Sequence, residues 1–154
     1  MGGIRGRKRK YILFHNSKIA KYEKEMKILL VEDNEGDIFL TLEALKDSTI
    51  SYGIHIVKDG EQALQFLRKE GQFKEAETPN LIFLDLNLPK IDGMEVLTEI
   101  KRDLILKTIP VVMLSTSNSE KDVTASYRNH AYCYITKPFD VQILEEVVQK
   151  IKNA

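Results

Sequence analysis

A chain of 154 residues has room for one core of ordinary size and does not require a second domain. Hydrophobic residues make up 43% and charged residues 30%, a balance too apolar for a disordered chain and suited to a globular one. Apolar runs reach only four or five residues, so no membrane-inserting segment is expected, and a lone Cys133 excludes an internal disulfide and suits a reducing, cytoplasmic setting.

The net charge of zero conceals an asymmetry. Residues 1–26 carry Arg5, Arg7, Lys8, Arg9, Lys10, Lys18, Lys21 and Lys24 against Glu23 and Glu25 alone. Such a cluster can meet nucleic acid or an anionic membrane surface, but a solvated tail is the plainer reading, and a nucleic-acid partner is not expected. The run Tyr11, Ile12, Leu13, Phe14 is too short for a signal-peptide core. Met26 directly precedes the first strong strand pattern and reads as the natural start. Residues 1–26 are therefore expected to be a basic extension, flexible or non-native, and residues 27–154 the folded domain.

From residue 27 short β-rich runs alternate with helical periodicity, the pattern of a parallel sheet covered on both faces. Residues 27–31 read as a buried central strand. Asn34 caps the following helix, with Asp37 three residues on and Ile38, Leu42 and Leu45 as its inward stripe. Residues 54–57 alternate weakly, as an edge strand does, and Asp59-Gly60 turns into a helix carrying Ala63, Leu64 and Leu67. A long polar connection over 69–80 leads to a second buried strand, 81–84, which ends in Asp85. After a loop over 86–92, Gly93 opens a helix lined by Val96, Leu97 and Ile100. Residues 110–114 form a third buried strand, 120–128 a polar helix, 133–136 the last strand, and 141–152 a helix with Leu144, Val147, Val148 and Ile151 on one side. Five strands and five helices in strict alternation predict a doubly wound α/β sheet, by the right-handed crossover rule.

Polar residues gather where the strands end: Glu32 and Asp33, then Asp85, then Ser115 and Thr116, then Lys137. In a doubly wound sheet those carboxyl ends share one edge, where ligands bind. Carboxylates pressed together repel one another and call for a hard divalent cation, Mg²⁺ or Mn²⁺, with oxygen ligands. A carboxylate nucleophile, such a cation, a lysine and a hydroxyl are the parts that phosphoryl transfer to an aspartate requires.

With these residues in place the chain resembles the response-regulator receiver domains over roughly residues 27–153. Val31-Glu32-Asp33-Asn34 matches the acidic pair, Leu84-Asp85-Leu86-Asn87-Leu88-Pro89 with Asp92-Gly93 the phosphoacceptor loop, and Ile135-Thr136-Lys137-Pro138-Phe139 the lysine-proline signature. The resemblance implies a flavodoxin-like sheet with strand order 2-1-3-4-5 and a two-component phosphorelay function, in which a sensor histidine kinase phosphorylates Asp85. It further implies that Asp33, Asp85 and the backbone carbonyl of Asn87 ligate the metal, with Glu32 acting through water. Lys137 and Ser115 would hold phosphate oxygens, Ser115 and Tyr134 would form the conformational switch, and the Lys137-Pro138 peptide would be cis. The resemblance is strongest to single-domain regulators paired with phytochromes and other hybrid kinases, on the strength of the 69–80 connection, the Asn87-Leu88-Pro89-Lys90 run and the stretch from Ser126-Tyr127 to Cys133-Tyr134. Two positions depart from the family pattern: Thr116 stands where alanine or glycine is usual, and His130 where a turn glycine is common. Thr116 is expected to crowd the acyl phosphate.

Each residue also has a plain structural reading: a turn or cap for Asp85, backbone satisfaction for Ser115, strand filling for Tyr134 and packing for Cys133. His15, His55 and His130 show no metal spacing and read as surface or edge residues. Phe139, Val141 and Ile143 lie off the centre of the last helix stripe and are candidates for a homodimer surface. An aspartate-nucleophile phosphatase would want a second aspartate two positions after Asp85, where Asn87 stands. A nucleotide-binding domain would want a glycine-rich loop after the first strand, where the chain reads Glu32-Asp33-Asn34-Glu35-Gly36.

Overall fold

A computed structural model describes residues 12–14 and 25–154. Five strands run parallel: β2 (Met26–Val31), β3 (Tyr52–Val57), β4 (Leu81–Asp85), β5 (Val111–Ser115) and β6 (Cys133–Thr136). They lie in the order β3-β2-β4-β5-β6, which is 2-1-3-4-5 when counted from residue 26. Between and after them come α1 (Glu35–Lys46), α2 (Gly60–Arg68), α3 (Gly93–Arg102), α4 (Glu120–Arg128) and α5 (Val141–Lys152). Among the described residues, no helix is long and apolar enough to cross a membrane.

Continuous apolar runs make the central strands because both faces of the sheet are covered. Leu29, Val31, Ile82, Leu84, Val111 and Met113 point to a core shared with Ala63, Leu67, Val96 and Ile100 of α2 and α3. The alternate residues Ile28, Leu30, Leu81, Phe83, Val112 and Leu114 meet Ile38 and Leu45 of α1 and Leu144 and Val148 of α5 on the other face. Of the expected α1 stripe, Ile38 and Leu45 are buried and Leu42 is partly so. Helix α4 buries only Ser126 within its length, in keeping with its polar sequence.

All five helices begin with a side-chain cap. Asn34, Asp59, Asp92, Ser119 and Asp140 each accept from the backbone N–H three residues on. Each cap contributes about 1 kcal/mol, and together they fix where the chain leaves each loop for a helix.

The edge of the sheet differs from expectation. Strand β3 begins at Tyr52, earlier than the alternation suggested, and its outer side is not bare: β1 (Ile12–Phe14) pairs with it antiparallel, Ile12 opposite Ile54 and Phe14 opposite Tyr52. An added antiparallel strand covers donors and acceptors that a sheet edge would otherwise expose. The folded unit also takes in Met26, which is 5% exposed and pairs with Tyr52. Residues 1–11 and 15–24 of the basic extension, its arginines among them, lie outside the described residues.

The 69–80 connection is anchored rather than loose. A 3-10 turn at Gly71–Phe73 places Phe73 in the core with Ala76, its ring 5.4 Å from that of Phe66. His55, expected at a surface or edge, is half-buried and stacks on Phe66 at 4.6 Å, because the turn closes over that side of β3. His130 is exposed with φ of 68°, the left-handed conformation that a turn glycine adopts without cost. Cys133 is half-buried, and burial pushes its thiol up to about 11, which fits packing rather than reactivity.

Candidate functional site

The parallel register brings the carboxyl ends of β2, β4, β5 and β6 to one edge. Val31 lies beside Leu84, Asp85 beside Leu114, and Ser115 beside Thr136, so Glu32, Asp85, Ser115 and Lys137 arrive at one level. Carboxylate oxygens of Glu32, Asp33 and Asp85 all fall within 4.8 Å of one another. Glu32 is fully buried, Asp85 is 6% exposed, and Asp33 faces solvent.

Lys137 supplies the cluster's positive charge. Its Nζ donates to Glu32 Oε1 at 2.7 Å and to Asp37 Oδ2 at 2.9 Å, and stands 3.5 Å from Asp85 Oδ2. Burial alone would lower the pKa of this ammonium, but hydrogen bonds to Glu32 and Asp37 and the charge of Asp85 raise it above the usual lysine value. Burial also acts on Glu32, and with the Asp85 carboxyl beside it pushes Glu32 up to about 7 against the pull of Lys137.

The backbone of the loop that follows β4 is tightly specified. Asn87 N–H donates to Asp85 Oδ1 at 3.2 Å, which orients the carboxylate, and Gly93 N–H donates to Leu86 O at 2.9 Å. Gly93 has no room for a side chain: a Cβ there would lie 2.2 Å from Asp85 O. The Lys137-Pro138 peptide is cis, and Lys137 N–H donates to Ser115 O at 2.7 Å.

Ser115 is fully buried, and its Oγ accepts from Ser117 N–H at 3.0 Å, so its hydroxyl is held by its own loop. Tyr134 is half-buried against the core, and its hydroxyl donates to Ser117 O at 2.7 Å. Ser115 and Tyr134 thus both contact the segment between β5 and α4. Thr116, suspected of crowding, is exposed. Of the dimer candidates, Phe139 packs partly against the core, Val141 is half-buried, and Ile143 is 42% exposed.

One residue of this constellation was missed. Asp37 reads from sequence as part of a helix start, yet its carboxylate is a partner of Lys137. An acidic residue in the first turn of a helix is accounted for by the helix itself, so nothing local in the sequence pointed to Lys137. A cavity of about 950 Å³ lies at the opposite edge of the sheet, lined by Met26, Pro79, Lys101, Ile109 and Tyr132 among others, and contains none of these groups.

Comparison with known proteins agrees with this geometry. The pattern of the response regulator receiver domain family matches residues 28–149. The response regulator Rcp1 of Synechocystis sp. (strain ATCC 27184 / PCC 6803 / Kazusa) is 51% identical over 126 residues, covering 82% of this chain and 86% of Rcp1. The crystal structure of the Mn(2+)-bound form of Rcp1 aligns with a TM-score of 0.71 at 50% identity, over 83% of this chain and 92% of that one. The phosphorylated cyanobacterial phytochrome response regulator RcpA aligns with a TM-score of 0.73 at 51% identity, over 84% of this chain and 93% of that one.

Proposed function

The chain belongs to the response regulator receiver domains of two-component signalling, and from that premise we propose that it takes a phosphoryl group from a sensor histidine kinase in the cytoplasm onto Asp85. The observation that carries this reading is the Asp85 carboxylate, oriented by Asn87 N–H, with Lys137 Nζ 3.5 Å away and carboxylate oxygens of Glu32 and Asp33 within 4.8 Å of its own.

The donor set suits a hard divalent cation, since three carboxylates with oxygens within 4.8 Å offer acidic oxygen ligands and no nitrogen or sulfur. Asp33, Asp85 and the Asn87 carbonyl would hold Mg²⁺ or Mn²⁺, with Glu32 acting through water. The bound ion would supply positive charge against the phosphoryl oxygens.

The protein's own groups do the rest. An Asp85 oxygen forms the new P–O bond as the P–N bond of the donor's phosphohistidine breaks and the imidazole leaves. Lys137, held between carboxylates, turns one N–H toward a phosphoryl oxygen, and the Ser115 hydroxyl reaches another. Because Ser115 and Tyr134 share the segment that holds Ser117, a shift of Ser115 toward the phosphoryl group loosens the Tyr134 hydroxyl from Ser117 O and lets the ring rotate inward. The chain assists its own phosphorylation and dephosphorylation and turns over no external substrate class. Relatives described as phytochrome response regulators favour a phytochrome or hybrid kinase as the donor.

Incubation with acetyl phosphate, read by intact mass, tests the chemistry. One phosphoryl group is expected with Mg²⁺ and none with excess chelator; equal labelling in both would remove the metal from the reading. We also propose that phosphorylation strengthens a homodimer whose surface includes Ile143, flanked by Val141 and Phe139. Sedimentation should show greater association with beryllofluoride, and association indifferent to this phosphate mimic would exclude the dimer.

A further inference from the structure

The connection between β3 and α2 supplies no donor to the acidic pocket, yet it is built against the loop that does. Gly60 N–H approaches Pro89 O at 3.4 Å, and a Cβ on Gly60 would fall 2.0 Å from Ile91 O, so the two segments touch backbone to backbone. Ile91 N–H donates to Pro89 O at 2.8 Å across Lys90, which has φ of 68°. A three-residue turn with its central residue in the left-handed region is a strained form, and lysine gains nothing there from its backbone. Its side chain does find partners: Nζ lies 3.4 Å from Glu61 Oε1 and 3.7 Å from Asp59 Oδ2.

Asp59 serves two ends. Its Oδ1 caps α2 by accepting Gln62 N–H at 2.7 Å, while Oδ2 faces Lys90, and the residue is only 8% exposed. Lys58, next to it, pairs with Glu35 at the start of α1. The β2–α1, β3–α2 and β4–α3 connections are thereby laced together along the rim of the pocket, on the side away from Ser115. Between Asp85 and Lys90 the loop carries Asn87, whose N–H orients Asp85.

We propose that Lys90 is a positioning residue: pinned by Asp59 and Glu61, it holds the acceptor loop in the conformation that sets the Asn87 backbone and the Asp85 carboxylate for the metal and the phosphoryl group. The proposal rests on the metal-dependent phosphoacceptor reading and assigns it a part that no ligand-bearing residue plays. The pairs are exposed on the lysine side, so the expected effect is modest, a roughly three- to fivefold change in affinity.

The sign of that change separates positioning from plain charge. Lys90 is a cation near an anionic metal site, so a through-space effect alone would make Mn²⁺ bind more tightly when the charge is removed. Loss of positioning makes it bind more weakly. Mn²⁺ binding to the full chain can be followed by electron paramagnetic resonance of the free ion, with thermal unfolding measured in parallel. Lys90→Asn tolerates the left-handed backbone and removes the charge; Lys90→Arg keeps the charge; Lys90→Gly relieves the strain outright. Weaker Mn²⁺ binding in the Asn and Gly variants, at an unfolding temperature no lower than wild type for Gly, with Arg within about twofold of wild type, is the expected result. Unchanged or tighter binding in Lys90→Asn and Lys90→Gly overturns the proposal. A wild-type chain that binds no Mn²⁺ overturns the metal reading itself, and the proposal with it.

Discussion

Replacing Asp85 with asparagine is expected to abolish phosphorylation by acetyl phosphate, with the rate falling at least about a thousandfold, while the fold survives. The amide keeps an oxygen that can accept from Asn87 N–H, as Asp85 Oδ1 does at 3.2 Å, so the loop retains its anchor. What disappears is the nucleophilic oxygen and one of three crowded negative charges. Because those charges repel, the variant should unfold at the same temperature as wild type or higher when no divalent ion is present. It should also lose most of the stabilisation that added Mg²⁺ gives wild type, which is about 2.7 kcal/mol at a concentration a hundred times Kd. Thermal unfolding with Mg²⁺ and with chelator checks both statements. Undiminished phosphorylation of the variant would move the acceptor to another carboxylate, and Asp33 would be the first to examine.

Lys137→Met should damage both function and stability, and its cost should depend on pH in a defined direction. The lysine side chain is 8% exposed and sits among Glu32, Asp37 and Asp85. Deleting the ammonium leaves buried carboxylates without a counter-charge, a change that costs about 3–5 kcal/mol where the charges cannot escape. Here Glu32 can escape by taking a proton. Its pKa in the folded chain is about 7 against an ordinary value of 4.5, so the folded state favours the protonated form. The stability this gives is fully present below the ordinary value and is lost as pH rises through the folded one. Without Lys137, whose pull lowers that pKa, the folded value climbs further and the loss continues to higher pH. The variant should therefore lie closest to wild type near pH 5 and fall further below it as pH rises past 7, by about 1.4 kcal/mol for each pH unit through which Glu32 stays protonated in the variant alone. Urea unfolding near pH 5 and above pH 7 measures this, and a loss independent of pH would mean that Lys137 contributes packing rather than charge.

The site was legible because the strands that build it are the plainest in the sequence. Residues 28–31, 81–84 and 111–114 are continuous apolar runs in which each residue faces one covered side or the other, so the first polar residue after each run marks the sheet edge. Glu32, Asp85 and Ser115 stand there, and the parallel register does the rest. Asp37 escaped notice because a helix N-terminus accounts for an acidic residue by itself, and only the three-dimensional course of Lys137 shows its second use. The β1–β3 pair was illegible for a different reason: three residues of added strand leave no period to detect, and the basic residues around them point toward a solvated tail. The tie between Lys90 and Asp59 joins residues 31 positions apart on two loops, and loops carry no periodic signal. His55 was misplaced because Phe73, the residue that closes over it, arrives from a connection whose residues are mostly polar.

The most direct test of the central claim is to locate the phosphoryl group. The chain is phosphorylated with acetyl phosphate and Mg²⁺, the acyl phosphate is reduced with borohydride, and the resulting homoserine is placed by sequencing the peptides in a mass spectrometer. Homoserine at position 85 and nowhere else is the predicted result. Homoserine at another carboxylate, or none in a chain shown to be folded and metal-loaded, would contradict the assignment of Asp85 as the acceptor.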